Sequence, residues 1–238
     1  MSKRAVILAG GLGTRLRPYT VTLPKPLMPI GEYPILEIIV RQLAMANFTH
    51  LTFAVNHQAE IIKAFFGDGK KWGLHIDYSL EEMPLGTMGP LLLIDDLPDD
   101  FLVMNGDILT DINYEDFYKH HIETANLFTI SSYVRNQLVD YGVLDTSNNR
   151  LISLREKPVF KYEVSMGVYM VSKSVLSFIR RNTPYGFDQL MYDLLEEDKP
   201  ISVSEHPGYW LDIGRPDDYA TATDVFEKNR AAFIGPNI

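Results

Sequence analysis

What most limits the folds open to this chain is the alternation of short, wholly apolar runs with stretches of helical periodicity. Ala5-Val6-Ile7-Leu8-Ala9 has no polar member, the pattern of a strand buried on both faces. A glycine-rich turn follows at once. Ile35, Leu36, Ile38, Ile39 and Leu43 then fall at helical spacing across Ile35–Met45. Further on, 51–55 reads as a strand, 57–66 as a short helix, 74–79 as a third strand and 86–94 as a third helix. A fourth strand, 101–104, ends in Asn105-Gly106-Asp107. Strands alternating with helices predict a parallel sheet covered on both faces.

The second half changes character. Segments 128–134, 142–145, 151–155 and 166–171 read as short strands with turns between them, one at Ser147-Asn148-Asn149. Segments 175–180 and 189–196 read as helices and 201–204 as a strand. A closing helix spans 217–230, with Pro216 well placed for a first turn. No repeat, low-complexity stretch or linker interrupts the 238 residues. The reading is therefore one domain over 1–238, with halves at 1–110 and 111–238 sharing one sheet.

Composition narrows the chemistry. The absence of cysteine removes disulfides, thiolate metal sites and cysteine nucleophiles together. A net charge of −9 argues against a protein whose work is gripping nucleic acid. Phosphate binding would need a local nest of amides and a few cations, and Lys3, Arg4, Arg15, Arg17 and Lys25 are the early candidates. No apolar run approaches membrane-spanning length, so a soluble, cytoplasmic protein is expected.

In open α/β sheets, ligands bind beyond the carboxyl ends of the strands. Gly10–Arg15 and Asn105–Asp107 both lie at such ends. Glycines let backbone amides turn toward an anion; an arginine adds a bidentate fork and a lysine a point charge. The order of residues is neither a Walker A loop, which needs Gly-Lys-Ser/Thr, nor a dinucleotide fingerprint, whose third glycine is missing. Taken singly, each element has a plain alternative. Gly-Gly-x-Gly fits an ordinary strand-to-helix turn, Asn105-Gly106-Asp107 a common turn, Asp212 a surface charge, and Glu156-Lys157-Pro158 a solvated ion pair.

In order along the chain stand Leu8-Ala9-Gly10-Gly11-Leu12-Gly13-Thr14-Arg15-Leu16, Pro24-Lys25-Pro26, Glu82-Met83-Pro84-Leu85-Gly86-Thr87, Asn105-Gly106-Asp107, Glu156-Lys157-Pro158 and Trp210-Leu211-Asp212-Ile213-Gly214. Together they resemble the signature of the sugar-1-phosphate nucleotidyltransferases, across nearly the whole chain. The resemblance implies an α/β fold with a Rossmann-like, mostly parallel sheet flanked by helices. Its nucleotide-binding half (1–110) would continue into a sugar-phosphate-binding half (111–238) on one mixed sheet. It also implies an NTP and a sugar 1-phosphate as substrates, Mg²⁺ as cofactor and pyrophosphate as product.

Residue by residue, the resemblance implies that Leu8, Ala9, Gly10, Gly11, Gly13 and Thr14 hold the nucleotide, the three glycines supplying the amide nest. Gly86 and Thr87 would lie near the base, with Asn105 and Gly106 also on the nucleotide. Arg15 would bind the departing pyrophosphate and Lys25 the phosphates at the reacting centre. Asp107 and Asp212 would hold Mg²⁺, while Gly142, Glu156, Lys157 and Gly167 would contact the sugar phosphate. Ser165 and Met166 stand where the family often has asparagine and alanine.

Leu85-Gly86-Thr87-Met88-Gly89-Pro90-Leu91 resembles the corresponding stretch of mannose-1-phosphate guanylyltransferases, implying GTP with mannose or heptose 1-phosphate. Thymidylyl, uridylyl or cytidylyl transfer to another hexose 1-phosphate, or a non-catalytic nucleotide-binding regulator, are the alternatives. The regulator is disfavoured because Arg15, Lys25, Asp107 and Asp212 are all present. A glycosyltransferase of the Asp-x-Asp kind would need a second carboxylate where Asn105 stands. His50, His57, His75, His120, His121 and His206 are scattered without ligand spacing and are assigned neither catalysis nor metal. Phe65, Phe66, Phe117 and Tyr118 are expected to pack a core, and Trp210 to join the core or wall the sugar pocket. Family members commonly self-associate, so a homo-oligomer is a further expectation.

Overall fold

The computed structural model describes residues 3–11, 13–56 and 58–235; Leu12 of the glycine loop and His57 lie outside them. Strand β1 (Lys3–Leu8) leads through 3-10 turns at Thr14–Leu16, Tyr19–Val21 and Lys25–Leu27 to the small pair β2 (Pro29–Ile30) and β3 (Tyr33–Pro34). Next come α1 (Ile35–Met45), β4 (Phe48–Val55), α2 (Ala59–Phe66), β5 (His75–Leu80), β6 (Asp100–Asn105), β7 (Ile108–Thr110) and α3 (Tyr114–Thr124). The second half adds β8 (Phe128–Leu138), β9 (Val143–Ser147), β10 (Arg150–Arg155), β11 (Val159–Ser172) and α4 (Phe187–Glu196). It closes with β12 (Ile201–Glu205), β13 (Trp210–Asp212) and α5 (Pro216–Ile234).

Seven strands form one sheet in the order β12-β8-β11-β6-β1-β4-β5. β6, β1, β4 and β5 run parallel, and β11 enters antiparallel to both β6 and β8. The sheet thus continues from the first half of the chain into the second. Period-two alternation of apolar residues feeds a separate core on each face. Ala5 and Ile7 of β1, Leu102 and Met104 of β6, and Val168 and Met170 of β11 enter one core. Val6, Phe101, Val103, Tyr169 and Val171 enter the other. Each valine, leucine, isoleucine, phenylalanine or methionine among them, removed from water, contributes about 1.5–3 kcal/mol, and this is why the central strands carry no polar face.

Several expectations need correction. In α2, Ile62 and Phe66 are buried, whereas Ile61 and Phe65 are exposed; the i, i+4 pair one position round the helix faces water. The helix expected over 86–94 is only a 3-10 segment, Gly89–Leu93. Pro90 has no N–H to give, and the amides of Met88 and Gly89 donate to the Tyr185 carbonyl at 3.0 and 3.2 Å instead. The segment 175–180 is likewise a 3-10 turn, Lys173–Phe178. α3 was not read as a helix because its sequence, YEDFYKHHIET, is mostly polar and buries only Tyr114, Phe117 and His121. Among the described residues no helix is long and apolar enough to cross a membrane.

Candidate active site

The carboxyl ends of β1, β4, β5 and β6 open on a cleft of about 410 Å³. Ala9 N–H still donates to Ala54 (2.8 Å) and Gly106 N–H to Leu8 (2.9 Å), so the ladder runs on for one residue before the chain turns away. Leu8, Ala9, Gly10 and Gly11 form one wall, and Asn105, Gly106 and Asp107 another. Lys25 and Pro26 close one side; Gly86 and Thr87 stand at the far end with Pro84. A Cβ on Gly10 would lie 3.0 Å from Glu81 Oε1, and Asn56 Nδ2 donates to the Gly10 carbonyl. Gly86 has φ +77°, and its Cβ would sit 2.7 Å from the Tyr185 carbonyl oxygen. The Thr87 hydroxyl oxygen accepts the N–H of Phe187 at 2.8 Å, tying this loop to the first residue of α4.

Lys25 is 8% exposed. Its ammonium contacts Asp107 Oδ2 and lies 3.9 Å from Asp212 Oδ1. Pairing of β13 with β7 sets Asp212 opposite Ile108, and Ile213 N–H donates to the Asp107 carbonyl at 3.0 Å. Two carboxylates far apart in sequence therefore share one cation. Burial pushes the Asp212 carboxyl above the usual range and the charge of Asp107 adds to this, with Lys25 and Arg15 acting in the opposite sense. Asp107 Oδ1 is buried without a hydrogen-bond partner. An orphaned carboxylate oxygen beside a second carboxylate is a hard oxygen donor set, the kind that suits Mg²⁺ completed by substrate phosphates.

Gly13, with φ +60°, lets the chain pass close to Thr20 and Lys25: a Cβ there would lie 3.0 Å from Thr20 Cγ2 and 3.2 Å from Lys25 Cβ. The Thr20 hydroxyl donates to the Gly13 carbonyl at 2.7 Å. Thr14 then starts the 3-10 turn that carries Arg15. Arg15 does not line this cleft. It joins Arg135, Arg215, Asp212 and Trp210 around a second cavity of about 310 Å³, with Nη1 3.4 Å from the Cβ position of Gly214. Trp210 walls this cavity and donates its indole N–H to Met166 O at 2.9 Å.

Gly167 (φ +74°) abuts the cleft from behind, since its Cβ would lie 2.6 Å from Asn105 Nδ2. Gly142, Glu156 and Lys157 gather away from it on an outer arm. Glu156 Oε2 is 3.2 Å from the Cβ position of Gly142, and Lys157 N–H donates to Tyr141 O at 3.3 Å. The Lys157 ammonium pairs with Asp140 at 2.7 Å. All three are exposed, and none lines the cleft.

Two lining residues escaped the sequence reading, Asn56 and Glu81, and two more, Pro26 and Pro84, stood in its motifs without a role of their own. Asn56 and Glu81 directly follow β4 and β5, so the strand-end rule that singled out Gly10 and Asn105 applies to them equally. Burial raises the Glu81 carboxyl, and the bond accepted from Leu85 N–H (3.2 Å) works against that rise. The histidines are less scattered than expected. His50 and His75 are register neighbours, and their ligand atoms lie within 4.8 Å of each other and of Asp77. That cluster sits at the amino ends of β4 and β5, opposite the cleft. Arg4 Nη2 (3.0 Å) and His50 Nε2 (2.8 Å) already engage Asp77 Oδ2 there.

Comparison with known proteins gives this geometry a lineage. The family model described as nucleotidyl transferase matches residues 4–229. The mannose-1-phosphate guanyltransferase of Schizosaccharomyces pombe is 34% identical, over 98% of this chain and 68% of that protein. Its counterpart in Candida albicans is 33% identical, over 94% of this chain and 64% of that protein. The chain thus spans about two thirds of the length of these relatives. Among solved structures, a putative glucose-1-phosphate thymidylyltransferase from Bacillus anthracis superposes with a TM-score of 0.78 over 100% of this chain and 97% of its own; at 22% identity it shows the shared fold alone. HddC from Yersinia pseudotuberculosis, also solved in complex with GMP-PN, gives a TM-score of 0.71 at 26% identity over 94% of this chain and 99% of its own. The chain belongs to the nucleotidyl transferase family, among the sugar-1-phosphate nucleotidyltransferases.

Proposed function

We propose that this chain transfers a guanylyl group from GTP to mannose 1-phosphate or a heptose 1-phosphate and releases pyrophosphate. The observation that carries the reading is the meeting of Asp107, Lys25 and Asp212 at the edge of a cleft walled by the Gly10–Gly11 backbone. The choice of base and sugar is supported by relatives named mannose-1-phosphate guanyltransferases. The Leu85–Leu91 stretch, which contains Gly86 and Thr87, supports it as well.

An oxygen of the sugar phosphate forms a bond to the α-phosphorus of GTP as the bond from that phosphorus to the β-phosphate bridging oxygen breaks. The attacking phosphate is already ionised at neutral pH, so no strong general base is required. The work of the protein is to align two anions that repel each other and to offset charge as it builds. Glycine-loop amides and Lys25 hold the nucleotide phosphates, and Arg15, with Arg135 and Arg215 near it, offers cationic compensation for the leaving pyrophosphate. Asp107 and Asp212 would hold Mg²⁺, which when bound neutralises phosphoryl charge. One phosphoanhydride replaces another, so the reaction runs in both directions.

The test is pyrophosphate release across four NTPs and a panel of sugar 1-phosphates, with and without Mg²⁺. Magnesium-dependent release with GTP and mannose or heptose 1-phosphate, abolished in Asp107→Ala, is the expected result. Release with another NTP would reassign the base, and release without any sugar phosphate would mean hydrolysis. Silence across the grid despite nucleotide binding would leave a non-catalytic regulator.

A further inference from the structure

We propose that His50, His75 and Asp77 form a binding site for a zinc-class divalent cation, separate from the Asp107–Asp212 pair. The two histidines are far apart in sequence, and the parallel register of β4 with β5 sets them side by side, His50↔His75. Side chains two apart along a strand share a face, so Asp77 lies on the same face of β5 as His75. Its register partner Thr52 lies on that face of β4. Arg4 of β1 is the register partner of His50 on the other side of β4. Arg4, His50 and His75 thus make one row across three strands, with Thr52 and Asp77 in the row beside it. β5 ends the sheet, and the row opens to water at His75, which is exposed.

One nitrogen of each imidazole and one oxygen of Asp77 lie within 4.8 Å of one another. The two rings stand 4.5 Å apart at an angle of 62°, and His50 Nε2 is 2.8 Å from Asp77 Oδ2. A tetrahedral zinc, with bonds of about 2.0–2.1 Å, spaces its ligand atoms about 3.4 Å apart. His50 and Asp77 are already inside that spacing, and exposed side chains such as His75 change rotamer readily. A turn of that one ring completes three protein ligands, and a water supplies the fourth position.

Two further observations point to a cation. Arg4 Nη2 and His50 both engage Asp77 Oδ2, whereas Asp77 Oδ1 is buried with no hydrogen-bond partner. A buried acceptor left unmet is costly, and a metal ion meets it. The charge of Arg4 is also already divided. Its Nη1 pairs with Asp96 at 2.7 Å, and its Nε and Nη2 donate to Thr52 Oγ1 at 3.0 and 2.7 Å. Two carboxylates face one guanidinium, which leaves a negative charge for a further cation. Arg4, 3% exposed, then serves as the outer partner that orients a ligating carboxylate. Donor type sets the metal class: imidazole with carboxylate suits Zn²⁺, while Mg²⁺ takes oxygen ligands. This site lies at the amino ends of the strands and the Asp107–Asp212 pair at their carboxyl ends. An ion bound here ties the edge strand β5 to β4 and, through Arg4, to β1.

The test is calorimetric titration of the metal-stripped full chain with ZnCl₂ in excess MgCl₂, for wild type, H50Q, H75Q, D107A and the control H120Q. His120 is an exposed histidine of α3. One zinc per chain is expected in wild type, D107A and H120Q, with affinity at least tenfold weaker in H50Q and H75Q and far-UV dichroism unchanged. A wild type that takes up no zinc, or a zinc that binds as tightly after H75Q, overturns the proposal. Loss of the zinc in D107A or H120Q overturns it as well, by placing the ion elsewhere. NMR of the imidazole nitrogens in the wild type gives a second arm: two of the six histidines should shift with one equivalent of zinc. A shift of one ring alone, or of none, overturns the site without any variant.

Discussion

Lys25 stands nine-tenths buried with its ammonium on Asp107 and near Asp212. An ion pair is a poor way to stabilise an interior, because desolvation consumes most of the attraction; its value here is to hold one cation and two carboxylates in fixed register at the strand ends. Lys25→Met is therefore expected to lower kcat/KM by about 10²–10³, the loss typical of one preorganised charge-stabilising group, with the decrease mainly in kcat; steady-state pyrophosphate release reads it directly. A drop confined to KM would mean that Lys25 serves binding alone. Gly86 makes a different kind of demand. Its φ of +77° and the 2.7 Å approach of a Cβ to the Tyr185 carbonyl leave no room for alanine. Gly86→Ala should cost about 1–3 kcal/mol of stability, seen as a lower thermal midpoint. At this scale the positions of the glycine loop and Asp107 were legible, because strand ends and chemistry-bearing residue types coincide there, whereas Asp212, by itself a surface charge, was singled out only by the family resemblance. Asn56 and Glu81 were passed over because a lone amide or carboxylate after a strand has no pattern of its own.

Elements were legible where one face is apolar. α1 matches its expected bounds because eight of its eleven residues are buried; β1, expected over 5–9, runs over Lys3–Leu8, its apolar run legible because it feeds both cores. Legibility failed where polar residues dominate or where backbone bonding overrides periodicity. The outer half of β11 extends past the core to pair with β8 at Phe160↔Gln137, Lys161↔Asn136 and Tyr162↔Arg135, and the alternation of Phe160, Tyr162 and Val164 with Lys161 and Glu163 fits a strand that the sequence reading began only at 166. α3 illustrates what replaces burial. Asn113 Oδ1 accepts the N–H groups of Glu115 (3.1 Å) and Asp116 (3.2 Å), two donors that a helix start otherwise leaves unpaired. Both acids also sit favourably in the first turn of the helix dipole. Asn113→Ala should lower unfolding free energy by about 1 kcal/mol, measured by urea denaturation. Because Asn113 lines no part of the cleft proposed to take the nucleotide, KM for the NTP should not move.

For the whole molecule the open question is what joins the two halves of the chain, and the sheet alone does not answer it. Reading the sequence as halves on one sheet named neither the strand that makes the join, which is β11 beside β6, nor the polar seam behind it. That seam centres on His121, a buried residue of α3. Its Nδ1 lies 2.7 Å from Thr129 Oγ1 on β8 and its Nε2 3.2 Å from Asp100 Oδ1 on β6. Ser172 of β11 donates to the same Asp100 oxygen at 2.6 Å. One imidazole thus touches strands from both halves. Burial depresses its pKa below the ordinary 6.5, outweighing the opposing pull of Asp100, with His120 adding slightly to the depression. The direction of the pH effect follows from linkage. Above pH 6.5 neither folded nor unfolded chain protonates this group, and its contribution to stability is complete. As pH falls below 6.5 the unfolded chain takes up a proton that the folded chain refuses, so stability declines until the folded pKa is reached. Urea midpoints should therefore fall between pH 7.5 and 5.5 in the wild type. In His121→Gln, which keeps an amide for hydrogen bonding but cannot titrate, the decline should be shallower although the variant is less stable at pH 7.5. Parallel declines in the two proteins would move the acid sensitivity away from this seam. A shallower one would make a single neutral imidazole the pin between β6 of the first half and β8 and β11 of the second.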